Sequence, residues 1–141
     1  MTRIDFYLTN DTSDTAKDIA VCKLAHKAFR LGHNVYILTT NPDESAQLDR
    51  LLWTFSAGSF IPHGLDNGQT GRELPVLIGQ QEPPESRQDV LISLTVVVPE
   101  FFSRFERVVD VVGPTAEAKQ RARERYRFYK ERGYPLQTHH L

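Results

Sequence analysis

Three short aliphatic runs, Val76-Leu77-Ile78, Val90-Leu91-Ile92 and Val108-Val109-Asp110-Val111-Val112, constrain this chain more than any other feature. Strands with so little polar alternation belong in a sheet covered on both faces, and such sheets join parallel strands through crossover helices. The first forty residues supply one such unit. Ile4 to Leu8 reads as a strand, and Thr9-Asn10-Asp11-Thr12-Ser13 offers turn and N-cap side chains. From Asp14 to Leu31 a helix is expected, with Ala16, Ala20, Leu24, Ala28 and Leu31 on its inward face and Gly32 at its end. Asn34 to Thr39 reads as the next strand. A second helix opens at Asn41-Pro42-Asp43-Glu44, where a capping side chain, a first-turn proline and two acids suit the positive end of the dipole. It runs to about Phe55, with Leu48, Leu51, Leu52 and Phe55 inward. Residues 56 to 75 hold four glycines without periodicity and read as a long loop, and Glu82-Pro83-Pro84-Glu85 as a surface turn. Gly113-Pro114-Thr115 ends the last expected strand and caps a closing helix from about Ala116 to Arg132, stopped by Gly133. The expected architecture is one α/β domain over residues 1–141, an open, mainly parallel sheet with helices on both faces.

A length of 141 residues suits one domain, and 40% hydrophobic with 25% charged residues excludes disordered and coiled-coil classes. The net charge of −1 provides no global field toward nucleic acid or acidic membranes. No apolar run approaches the ~20 residues of a membrane span, and the first residues lack a secretory signal. Cys22 is the single cysteine, which excludes an internal disulfide and a cysteine-built zinc site and fits a reducing cytosol, so a cytoplasmic protein is expected. Cofactor and catalytic motifs are missing too. The first strand leads into a turn without glycine, there is no P-loop or nucleophile elbow, and Cys22 reads as a small buried apolar group. His139 and His140 read as a frayed terminus, and His63, between Pro62 and Gly64, as a structural or exposed side chain. No catalytic residue, metal or cofactor is expected. A hydrolase or nuclease using Asp5, Asp11 or His63 at the carboxyl edge of the sheet has only positional support.

Two surfaces look built for partners. Residues 115 to 132 hold seven Lys and Arg against three Glu, a balance of +4, so with the whole chain at −1 the remainder carries −5. Helical spacing puts Ala118, Ala122, Arg125 and Tyr129 on a packing face. Lys119, Arg123, Tyr126, Arg127 and Lys130 share another, which offers guanidinium forks and an aromatic plate to an anionic partner. The second surface centres on Trp53, which at ~100° per residue lies roughly 140° from Leu48 and should be partly exposed. Phe60-Ile61-Pro62 follows closely, so an apolar patch forms if the loop meets the helix end. A rival reading makes the basic helix a direct single-stranded nucleic-acid binder with Tyr126 stacking on a base, although the net charge argues against tight binding.

Phe6-Tyr7-Leu8, Leu52-Trp53, Ser59-Phe60-Ile61-Pro62-His63, Asp89-Val90-Leu91-Ile92-Ser93-Leu94, Val108-Val109-Asp110 and Ala122-Arg123-Glu124-Arg125-Tyr126 occur in an order and spacing that together resemble the chi-subunit family of bacterial DNA polymerase III holoenzyme, accessory proteins of the clamp loader. The resemblance runs nearly end to end. It implies a Rossmann-like domain without enzymatic activity or cofactor, paired one-to-one with the psi subunit and binding the acidic C-terminal tail of single-stranded-DNA-binding protein. Carried over residue by residue, the tail-binding surface falls on Val112, Lys119, Arg123, Tyr126 and Arg127, with a lysine commonly expected where Arg127 stands. The psi-binding surface falls on Trp53 and Phe60, which a helicase is also implied to use in some members.

Overall fold

The structure, a computed structural model, describes residues 1–13, 15–56, 58, 60–68 and 73–141. Asp14, the expected helix start, and Ser59 lie outside the described residues. The described residues form seven strands and three α-helices: β1 (Arg3–Leu8), α1 (Ala16–Arg30), β2 (Val35–Leu38), α2 (Pro42–Thr54), β3 (His63–Leu65), β4 (Val76–Gly79), β5 (Val90–Ser93), β6 (Arg107–Val112), α3 (Ala116–Glu131) and β7 (Leu136–His140). A 3₁₀ turn at Phe102–Arg104 precedes β6. The strands form one sheet in the order β3-β4-β2-β5-β6-β1-β7. Every pairing among them is parallel, so the Rossmann-like expectation holds and extends to the whole sheet.

Alternation along the strands splits the core into two layers. Val35, Ile37, Val76, Ile78, Val90, Ile92, Val109 and Val111 face α1 and α2. Ile4, Phe6, Tyr36, Leu77, Leu91, Val108 and Val112 face α3 and the 3₁₀ turn, where Phe102, Phe105 and Tyr129 fill the layer. Asn41 caps α2 by accepting from the Glu44 amide (2.8 Å), and Thr115 caps α3 through Ala118 N (3.0 Å), as the turn chemistry predicts.

Three expectations need correction. The loop read over 56–75 contains β3, a three-residue edge strand parallel to β4, and within it Ile61 is fully buried rather than part of an exposed patch. The C-terminus is a strand, not a frayed end. β7 pairs with β1 along its length, the His139 ring stacks on Tyr7 with centroids 4.4 Å apart, and its Nε2–H donates to Asp5 Oδ1 at 3.0 Å. Leu141 N then donates to Leu8 O. Finally, α1 buries Val21, Cys22, Ala25 and Ala28, while Ala16, Ala20 and Leu24 are only half-buried and Leu31 is exposed. The sheet takes the stripe of compact side chains, which lets the helix axis approach closely, and the Ala/Leu stripe turns to one flank.

Candidate functional site: an apolar cleft with a cationic rim

The position of α3 is set from beneath. Arg125 grips Asp110 of β6 with Nε on Oδ2 (2.7 Å) and Nη2 on Oδ1 (3.0 Å), and its Nη1 donates to Val96 O (2.9 Å). Both partners are buried. Desolvation makes a buried ion pair costly unless its geometry is good, and here a two-point fork with a third acceptor satisfies it. Four residues along, Tyr129 is buried edge-on to Phe6 and Phe102. Burial, with Asp110 beside it, pushes the Tyr129 hydroxyl far above the ordinary tyrosine range.

With that face fixed, Lys119, Arg123 and Tyr126 look out over the carboxyl ends of β1, β6 and β7. They border a cleft of about 150 Å³ whose inner surface is Phe6 and Leu8 of β1, Val112 of β6, Ala122 of α3 and Thr138 of β7. The Tyr126 ring is held by Phe6, centroids 5.5 Å apart. Crossovers from β1 and β6 leave in opposite directions here, toward β2 and β7, and such a switch point opens a crevice at the strand ends. On the rim, Lys119 Nζ donates to Asn10 Oδ1 (3.1 Å) and Arg123 Nη1 to Gln120 Oε1 (3.3 Å), both neutral acceptors. None of Lys119, Arg123, Arg127 and Lys130 forms an ion pair with any described residue, whereas Arg121 pairs with Glu124 at 3.7 Å. A cleft of this size suits one ring-sized apolar group, and unpaired cations at its mouth suit an anion.

Four of the five predicted residues thus meet in one place: Val112, Lys119, Arg123 and Tyr126. Arg127 is exposed and does not border the cleft. Sequence reasoning missed Phe6, Leu8, Ala122 and Thr138 as lining residues. Alternation along β1 could have supplied the first two, while Thr138 sat in a terminus read as unstructured.

Across the sheet, Trp53 is 53% and Phe60 62% exposed, with ring centroids 5.6 Å apart. Behind them His63 is buried, its ring 4.6 Å from Trp53 and its two nitrogens 2.6 Å from Ile61 O and 3.0 Å from Asp49 O. The aromatic pair is therefore backed by a pinned side chain.

The residues offered for hydrolysis do not converge. Asp5 is buried among Arg107 Nε (2.7 Å), Arg3 Nε (3.3 Å) and His139, and Asp11 accepts from Ser13 N. His63 lies on the edge strand farthest from them. Among the described residues no three His, Cys, Asp or Glu side chains are grouped to hold a metal, and no helix is long and apolar enough to cross a membrane.

Fold and site together define an open parallel α/β protein with a cation-rimmed apolar cleft at the carboxyl ends of its strands. The sequence model described as DNA polymerase III chi subunit, HolC, matches residues 1–137. The chain is 41% identical over 141 residues to the DNA polymerase III subunit chi of Pseudomonas aeruginosa, covering 100% of this chain and 98% of the relative. It is 37% identical to the corresponding subunit of Escherichia coli strain K12 over 98% of this chain and 97% of that one, and 30% identical to that of Haemophilus influenzae over 96% and 94%. The chain belongs to the DNA polymerase III chi subunit family, and is a replication accessory subunit.

Proposed function

We propose that this chain bridges the clamp loader, through psi, to the acidic C-terminal tail of single-stranded-DNA-binding protein, and that it has no catalytic activity of its own. The single observation that carries the tail reading is the meeting of Val112, Lys119, Arg123 and Tyr126 around one apolar cleft whose rim cations have no acidic partner among the described residues. A tail ending in acidic residues, an apolar dipeptide and a free carboxylate matches it part by part. The apolar side chain enters between Val112, Phe6 and Tyr126, Arg123 or Lys119 takes the terminal carboxylate, and Arg127 meets the upstream acids from the outside of α3. Psi docks on Trp53 and Phe60, and a helicase using the same aromatics would exclude it.

Titration of a tail peptide tests the reading. Replacing a charged hydrogen-bond partner costs roughly 1.5–3 kcal/mol, so Arg123→Ala is expected to weaken binding about tenfold or more, as is amidation of the peptide terminus. Raising salt should weaken the wild-type complex further. Unchanged affinity in Arg123→Ala would remove the anion site. For the other patch, loss of psi copurification is expected for Trp53→Ala, and an intact complex would move that interface elsewhere.

The rival reading, direct single-stranded nucleic-acid binding along α3, fits the arrangement less well. Lys119, Arg123, Arg127 and Lys130 do leave an unpaired row along α3 among the described residues, but Arg121 and Arg125 are engaged by Glu124 and Asp110, and the net charge of −1 gives the chain no global attraction to a phosphate backbone. Tight oligonucleotide binding by the isolated chain, with a steep salt slope, would restore it.

A further inference from the structure

Helices cover the two faces of this sheet unevenly. On one face α1 packs mainly over β2, β5 and β6 and α2 over β3 and β4, so that among the described residues the outer strands β1 and β7 are the least covered by helix on that side. Strands of a parallel sheet are normally covered on both sides. On that side lies a groove of about 650 Å³ that runs along the outer flank of α1. Tyr7 and Leu141 contribute to its floor, and the Tyr7 ring is held flat there by its stack on His139. Its wall is Ile19, Ala20 and Leu24, apolar residues of α1 that remain half-buried, with Leu24 also leaning on the core.

Charge is equally one-sided. Lys23 and Lys27 stand exposed on the same rim, and Arg30 continues the row. The one acid in α1, Asp18, is buried. Asp11 reaches the groove, but its carboxylate already accepts from the Ser13 amide (2.9 Å). A second copy of this chain docked symmetrically would set these lysines against their own counterparts, which disfavours self-association.

We propose that this groove docks an amphipathic helix of a partner protein, its apolar face on Ile19, Ala20, Leu24 and Tyr7 and its acidic residues against Lys23 and Lys27. From Ala16 to Lys27 the wall spans roughly 17 Å at ~1.5 Å per residue, three helical turns, which accommodates anchors at i, i+3/i+4 and i+7. The surface is separate from the other two. Tyr7 and Phe6 point to opposite faces of β1, so the α3 cleft lies across the sheet, and Trp53 lies beyond α1 on α2.

Photo-cross-linking in cells tests this on the full chain, with benzoylphenylalanine placed at the exposed Lys23. The expected product is an adduct whose partner peptide is net acidic with apolar residues at helical spacing. Lys27→Glu with Arg30→Glu should cut its yield about fivefold or more, while a thermal unfolding curve unchanged from that of the parent chain shows that the variant folds. No adduct at Lys23, an adduct to nucleic acid or to a second copy of the chain, or a yield indifferent to the charge reversal would each overturn the proposal.

Discussion

Arg125 shows how a single side chain decides what its neighbours can do. Counted from the sequence it belongs to a basic helix, but the structure withdraws it from the surface and uses it to fix the rotation of α3. Breaking a buried pair by removing one partner costs about 3–5 kcal/mol. Arg125→Ala is therefore expected to lower the urea unfolding free energy by about that much, and a change within about 0.5 kcal/mol would show the grip to be incidental. Asp5 offers a test in pH. Burial pushes its carboxyl up, but hydrogen bonds from His139 and Arg107 and the charges of Arg107 and Arg3 outweigh this and hold it below its usual 3.8. A carboxyl lowered in the folded state stabilises above its unfolded value and loses that contribution as pH falls through 3.8 toward the folded value. Asp5→Asn should thus reduce stability at pH 7 by about 2 kcal/mol and flatten the decline of wild type below pH 4; an unchanged acid limb in urea titrations would contradict the assignment. Cys22 is fully buried, and burial with the Asp18 charge pushes its thiol up to about 12. Iodoacetamide should leave it unmodified until the chain unfolds.

At the scale of elements, β7 is an edge strand that matters beyond its burial, because it covers β1 and supplies Thr138 to the cleft. Parallel pairing alternates which amides point inward: Leu141 N donates to Leu8 O, so the His139 amide faces β1 and the Thr138 amide faces solvent. The Gln137 amide faces β1 in the same way, so Gln137→Pro should destabilise by about 2 kcal/mol more than Thr138→Pro, since only the former removes a ladder bond. Equal melting of the two variants would argue against this register. The same strand marks where local sequence stops being informative. β2, β4, β5 and β6 were legible because central strands must be aliphatic on both faces. Leu136-Gln137-Thr138-His139-His140 is an edge strand with water on one side, and its polar residues find their partners in Asp5 and Tyr7 more than a hundred positions away. β3, three residues including Gly64, is too short to carry a period. In α1 the inward stripe and the flank stripe lie side by side, and choosing between them required knowing where the sheet stood. At the cleft, Lys119, Arg123 and Tyr126 could be read because one helix spaces them, whereas the floor drew on three strands that only the fold brings together.

For the whole molecule, the order of strands separates the two patches identified first. Trp53 and Phe60 sit at the β3 edge and the cleft between β6, β1 and β7, four to five strand spacings of about 4.8 Å away, or roughly 20–25 Å. That separation is what the proposed bridging role requires of its two surfaces. Effects of mutations that far apart should add, so Trp53→Ala should leave tail-peptide affinity within about twofold of wild type. The most direct test of the central claim is amide chemical-shift mapping on the uniformly labelled chain during titration with the acidic-tail peptide. The expected perturbations cluster at Leu8, Val112, Ala122, Arg123, Tyr126 and Thr138 and leave Trp53 and Phe60 unmoved. Shifts centred on the Trp53 patch, or none at the mouth of the cleft at saturating peptide, would contradict it.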